Sequence, residues 1–184
     1  MILTRFSRAP KFTCSLNHLK GPMKPRVPSY FSLFALLAGL MGASGVSAQA
    51  LSPNGVKTLN PPGAIKSTGT WALGTRAGDF VFVAGMRGID PATNTLVQGD
   101  EARVMQAFKN MQMIAQSEGA SLRDSVRLVV YVSDMFRYRP IVNKVQEQLW
   151  GAGPYPPRTI IEVQRMNQDD IVEVEGTFYA PVKR

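Results

Sequence analysis

Apolar residues recur along the chain at two spacings, one typical of strands and the other of helices. Short apolar runs bounded by turn residues predict strands at 56–59, 71–76, 80–84, 126–132, 159–164 and 171–179. Helical spacing predicts a helix over 100–117 and a second one from about 135 to 150. This order of elements predicts an α+β domain in which both helices cover one face of a mixed sheet.

Local signals refine the second helix and the strand before it. Asp134 is placed to cap the helix, because a short acidic side chain accepts hydrogen bonds from the free N–H groups of a first turn. Pro140 is expected in that first turn, since a proline further along removes a backbone hydrogen bond. In the preceding strand, alternation should place Val126 and Val132 on one apolar face.

The balance of basic and acidic residues changes after residue 50. The first fifty residues hold six Lys or Arg and no Asp or Glu, whereas the remaining 134 hold 15 basic and 13 acidic residues. The formal charge of +8 therefore belongs mainly to the first segment and is poor support for a nucleic-acid surface. The organisation we predict is a leader over 1–50, an irregular segment over 51–66 and one domain over 67–184.

The leader has the pattern of a secretory signal. An uncharged, mostly apolar stretch at 30–46 follows Lys24 and Arg26 and precedes Ala48-Gln49-Ala50, a small-residue cleavage signature. The alternative is a retained membrane anchor, but the apolar run is diluted by glycines and is shorter than a bilayer span of ~20 residues. We expect cleavage after Ala48 or Ala50, a periplasmic or secreted location, and no stable membrane insertion afterwards.

Composition excludes several kinds of chemistry. Cys14 and His18 are the single cysteine and histidine of the chain, and both lie in the leader. The remaining residues therefore lack a Ser-His-Asp or Cys-His system and the usual zinc ligands. We predict no metal and no cofactor, and we expect the chemistry to come from Arg, Lys, Glu, Asp, Tyr, Ser, Thr or backbone groups.

Two charged positions stand out beside the predicted strands. Arg158 follows a Tyr-Pro-Pro loop and opens a strand, where a fixed guanidinium can bind a planar carboxylate. Glu173 and Glu175 are two residues apart, so both face away from the helices. A solvated arginine and a charged outer sheet face are the simpler interpretations of these residues. Likewise, Trp71 can be a packing residue, and Gly85 can mark either a bulge or close approach to a ligand.

Taken together, the residues between Thr68 and Ala180 resemble the Rid (YjgF) family of reactive intermediate/imine deaminases. The matching stretches include FVFVAG at 80–85, DPATNTLV at 90–97, YPPRTIIEVQRM at 155–166 and VEVEGTF at 172–178. The resemblance implies a chorismate-mutase-like fold and a homotrimer, in which three sheets form a central barrel with ligand clefts between subunits.

The resemblance also implies roles for individual residues. Arg158 would bind the carboxylate of a 2-imino acid, and Glu173 would position the attacking water, giving a 2-keto acid and ammonia. Trp71, Gly85 and Asn143 would line the substrate cleft, with Asn143 aligning through a one-residue insertion after Asp134.

Four substrate-cleft positions depart from the family pattern. Trp71 replaces a tyrosine, Ala84 and Met86 replace a serine and a glutamine, and Ile160 replaces a frequent cysteine. These changes imply a less polar cleft for a bulkier or more apolar substrate. The function we predict is hydrolysis of 2-imino acids or enamines. The alternative is a non-catalytic trimer that binds small carboxylates or unfolded chains, while ribonuclease activity is disfavoured by the near-neutral charge.

Overall fold

The computed structural model describes residues 51–182, and within them eight strands and two helices form. In chain order these are β1 (Lys57–Leu59), β2 (Gly74–Ala77), β3 (Phe80–Arg87), β4 (Ile89–Asp90), β5 (Thr95–Leu96), α1 (Asp100–Ser117), β6 (Ser125–Val132), α2 (Met135–Trp150), β7 (Arg158–Glu162) and β8 (Val172–Tyr179). The predicted leader, with its secretory signal, lies outside the described residues and stays a prediction.

Six of the strands form one mixed sheet. Their order is β1-β2-β3-β8-β6-β7, and the neighbours are antiparallel except β6 and β7, which are parallel. A parallel pair needs a crossover, and α2 supplies it between β6 and β7. Strands β4 and β5 form a separate hairpin, with its turn at 91–94. The α+β class with a mixed sheet is confirmed.

Both helices pack on the same side of the sheet. Val104, Phe108 and Met111 of α1 are fully buried, as the helical spacing predicted. On the sheet, alternate residues such as Val130 and Val174 are fully buried beneath them. Among residues 51–182 no helix covers the opposite face of the sheet, so charged and aromatic side chains stay exposed there.

Three local predictions are wrong. Pro140 is the sixth residue of α2 rather than part of its first turn. The helix continues because Pro140 is exposed, so water can hydrate the carbonyl that loses its partner. Val126 is 42% exposed, because a register shift between Ser125 and Arg127 interrupts the alternation of β6. The strand predicted from residue 71 begins only at Gly74, so Trp71 lies outside it.

Candidate active site

The guanidinium of Arg158 is fixed at the start of β7 by two side chains of α2. Its Nη1 donates to Gln146 Oε1 at 2.7 Å, and its Nη2 donates to Asn143 Oδ1 at 2.8 Å. Gln146 is 95% buried, which fixes one of these acceptors firmly. Cross-strand pairing of Arg158 with buried Leu128 places the arginine on the helix-covered face of the sheet. The guanidinium of Arg158 is therefore held rigidly, and its role as a carboxylate clamp stays a prediction.

The positive charge of Arg158 is not neutralised by the groups that hold it. Both acceptors are neutral amide oxygens, and the ion pairs formed within residues 51–182 do not include Arg158. Burial, followed by repulsion from Arg139, lowers the pKa of Arg158. A cleft of about 340 Å³ opens beside it, between α2 and the loop that carries Tyr155. An anion entering this cleft would meet an uncompensated guanidinium.

Glu173 lies in a second cleft, on the other face of the sheet. Its neighbours Val172 and Val174 are fully buried, whereas Glu173 is half-buried, as the alternation predicted. The cleft has a volume of about 290 Å³ and is also lined by Trp71, Ala84 and Gly85. An added Cβ on Gly85 would stand only 2.0 Å from Glu173 Oε1. The glutamate carboxylate therefore occupies the space that the glycine leaves free.

The environment of Glu173 changes its protonation. Burial raises the pKa of Glu173, and the charges of Glu175 and Asp170 act in the same direction. Arg87 opposes them, because it is the cross-strand partner of Glu173 and favours the ionised form. A carboxyl group with a raised pKa holds a proton more readily than an ordinary glutamate, which suits it to accept and return one in general acid-base catalysis.

Within one chain, Arg158 and Glu173 face opposite sides of the sheet. Arg158 pairs with Leu128 of β6, whose side chain is fully buried on the helix side. Glu173 pairs with Tyr131 of β6, three residues further along and on the other face. The two side chains therefore cannot contact one small molecule within a single chain.

The structure divides the residues predicted to form the site between the two clefts and the core. Trp71, Ala84 and Gly85 lie together with Glu173. Asn143 lies with Arg158.

Met86 and Ile160 do not line either cleft. Met86 is fully buried opposite Val174, because a bulge between Val83 and Met86 turns its side chain into the core. Ile160 packs against the core on the helix-covered face. That these two side chains contact the substrate stays a prediction.

Sequence reasoning missed several polar residues of the clefts, among them Gln146 and Glu147 in the arginine cleft. Gln146 lies three residues after Asn143, so the helical repeat could have placed both on one face of α2. Lys66 and Arg87 line the Glu173 cleft. The position of Arg87 depends on the pairing of β3 with β8, which no local pattern records.

Two further kinds of feature are absent from the part of the chain between residues 51 and 182. There is no group of three or more His, Cys, Asp or Glu side chains that could hold a metal ion. No helix there combines the length and apolar character needed to cross a membrane.

The fold and its two clefts define a small α+β domain of the chorismate-mutase-like type. Residues 62–180 match the family model described as Endoribonuclease L-PSP. The chain belongs to this family, which is the Rid (YjgF) family indicated by the resemblance.

Relatives of the chain carry different names. A RutC family protein of Pyrococcus horikoshii is 33% identical over 123 residues, which is 66% of this chain and 94% of the relative. A 2-iminobutanoate/2-iminopropanoate deaminase of Salmonella typhimurium is 28% identical over 123 residues, covering 66% of this chain and 93% of that enzyme. A probable translation initiation inhibitor from Rhodopseudomonas palustris has a similar structure, with a TM-score of 0.67 and 52% identity over 69% of this chain and 99% of that one. A shared fold does not by itself determine an activity.

Proposed function

We propose that this protein is a homotrimer that hydrolyses 2-imino acids, or their enamine tautomers, to 2-keto acids and ammonia outside the cytoplasm. The observation that carries the proposal is Arg158, a half-buried guanidinium held by two neutral oxygens beside an open cleft. Such a group suits a small planar carboxylate. The deaminase name of the Salmonella relative supports the same reaction.

The proposed reaction needs only positioning and proton transfer. A water oxygen adds to C2 of the protonated imine, and the electrons of the C=N bond move to nitrogen. Glu173 accepts the proton released by the water and returns it to that nitrogen. The C–N bond then breaks, its electron pair leaves with ammonia, and the hydroxyl proton is released as the C=O bond forms. Fixing the carboxylate on Arg158 holds C2 where the water can reach it.

The proposal requires two copies of the chain at each site, because Arg158 and Glu173 lie on opposite sheet faces. The helix-free face is suited to such an assembly. It exposes several large apolar side chains, among them Phe82 at 44% and Ile161 at 41%. Exposed apolar surface of this kind is typical of a surface that binds another protein. The proposal requires that the sheet edge formed by β7, which Arg158 begins, approach the glutamate cleft of the next chain.

The activity is tested by measuring ammonia release from imino acids produced in situ by an amino-acid oxidase. We expect acceleration above spontaneous hydrolysis with the wild-type protein and none with Arg158→Ala. The matched control is Arg137→Ala, which removes an exposed arginine of α2 whose partner is Asp100. Unchanged turnover by folded Arg158→Ala would refute the clamp.

Subunit complementation tests the shared site. Arg158→Ala and Glu173→Ala chains should each be inactive alone. When they are co-expressed in equal amounts, about a quarter of the interfaces in random trimers combine an intact arginine with an intact glutamate from neighbouring chains. Recovery of a corresponding fraction of the activity is expected. If mixed trimers form and recover nothing, the two residues do not act from neighbouring chains.

A non-catalytic carboxylate-binding trimer is the second candidate. It is favoured by Ala84 and Trp71, which supply no small hydroxyl group to the glutamate cleft. Calorimetric binding of 2-keto acids, with no acceleration of imine hydrolysis, would select this function instead.

A further inference from the structure

The Glu173 cleft is lined by both apolar and cationic side chains. Trp71 and Ala84 are among the apolar ones. The cations are Lys66 and Arg87, and Asn167 also lines the cleft. Two cations beside one glutamate are unexpected in a cleft whose sequence departures all replace polar side chains with less polar ones.

The guanidinium of Arg87 is held by hydrogen bonds and by an ion pair. Its Nη1 donates to the backbone oxygen of Asn167 at 2.8 Å, and its Nη2 donates to Gln168 Oε1 at 3.1 Å. Its closest ion-pair partner is the fully buried Asp170, with 3.6 Å between Nη1 and Oδ2. That carboxylate is shared with Arg103, whose Nη1 lies 3.7 Å from the other oxygen.

The two arginines behind the cleft outnumber their carboxylate partner. Arg87 and Arg103 share the single carboxylate of Asp170, which leaves one positive charge in excess there. Lys66 adds a second at the rim, against the carboxylates of Glu173 and its neighbour Glu175. Whenever Glu173 is protonated, which is the form that burial favours, the cations are in excess.

We infer that Arg87 and Lys66 determine substrate specificity, and that the imino acids hydrolysed carry a second carboxylate at the end of their side chain. This inference rests on the proposed function. The first carboxylate binds Arg158 of one chain, and the second accepts hydrogen bonds from Arg87 and Lys66 in the glutamate cleft of its neighbour. The carbon chain between them lies along Trp71 and Ala84.

A wholly apolar side chain suits this cleft less well. It would displace water from Lys66 and from the exposed part of Arg87 without supplying an acceptor, and desolvating a charged group without a new partner is costly. A carboxylate replaces that water with charge-assisted hydrogen bonds. The expectation of a more apolar substrate, drawn from four substitutions, did not include these two cations.

The test compares imines derived from aspartate and glutamate with those derived from leucine and methionine, each produced by its own oxidase. We expect higher kcat/KM for the acidic pair with the wild-type protein. Arg87→Leu should raise KM for the acidic pair by about ten- to hundredfold, because a charged hydrogen bond is lost, and should lower the kcat/KM ratio of the acidic to the apolar pair by a similar factor.

Lys66→Ala provides a second variant, since Lys66 is exposed and its removal does not disturb the core. Like Arg87→Leu, this variant should lower the preference for acidic imines. Lys109→Ala is the matched control, because it removes an exposed lysine from α1, away from both clefts. That variant should keep the wild-type preference.

The outcomes separate this inference from the proposed function. Equal or faster hydrolysis of the leucine imine by the wild-type protein overturns the inference and leaves the deaminase proposal intact. Equal losses on both substrate pairs in Arg87→Leu would overturn it too, since the residue would then only support Glu173. If no imine is hydrolysed, the proposed reaction fails, and calorimetry decides the specificity. Tighter binding of 2-oxoglutarate than of 4-methyl-2-oxopentanoate, lost in Arg87→Leu, would support the inference, and equal binding would overturn it.

Discussion

A single methyl group added at Gly85 should disable the site without weakening the fold. In Gly85→Ala the new Cβ would stand 2.0 Å from Oε1, 2.5 Å from Cδ and 2.8 Å from Cγ of Glu173. Non-bonded carbon contacts are favourable at about 3.5–4.0 Å, so the carboxylate has to retreat by roughly 1 Å or more. The closest atoms belong to the end of a flexible side chain, which can move without shifting the backbone.

The magnitude follows from that displacement. A misplacement of about 1 Å can cost on the order of 100-fold in rate, or about 2.7 kcal/mol of activation free energy. The free energy of unfolding should change little or increase, because Gly85 lacks the positive φ that would strain an alanine. Replacing glycine by alanine at such a position typically stabilises a protein by about 0.4–1 kcal/mol.

The assay is kcat/KM for imine hydrolysis beside thermal unfolding of the same samples. A double-mutant cycle tests whether the methyl group acts through Glu173. If it does, adding Gly85→Ala to Glu173→Ala should cause no further loss of kcat/KM. Full activity in Gly85→Ala would refute the reasoning. So would a loss of activity that is matched by a loss of thermal stability.

Three further predictions concern stability. Because burial raises the pKa of Glu173, the folded state holds this proton more tightly, and stability falls as pH rises from the usual carboxyl range through the raised pKa. Glu173→Gln should therefore be more stable than wild type at neutral pH, and denaturant titrations should show this difference vanishing in acid. Phe108→Ala should cost about 3–5 kcal/mol, because its fully buried ring packs edge-on against Trp150, whereas Phe136→Ala at a 95% exposed position should cost almost nothing. Asp134→Ala should cost about 1 kcal/mol in the same titrations, because the carboxylate accepts the Arg137 N–H at 3.0 Å; an unchanged midpoint would contradict the cap.

Local patterns predicted much of the architecture because they record which face of an element is buried. The stripe of apolar residues predicted α1 at its observed bounds, and the alternation around Glu173 predicted which side chains of β8 face away from the helices. Alternation does not hold through Met86, where a bulge in β3 changes the face on which the side chains lie. A bulge depends on the pairing with a neighbouring strand, so the residues of one strand do not record it.

The chain's own residues determined the candidate chemistry, namely an arginine after two prolines, a glutamate in an alternating strand, and no histidine or cysteine beyond residue 50. Only the tertiary structure decided how these groups are arranged. It placed Arg158 and Glu173 on opposite faces of one sheet and brought Arg87 beside the glutamate. The physical reason is that side-chain identity and spacing are local properties of the chain, whereas strand order and register result from pairing between residues far apart in sequence.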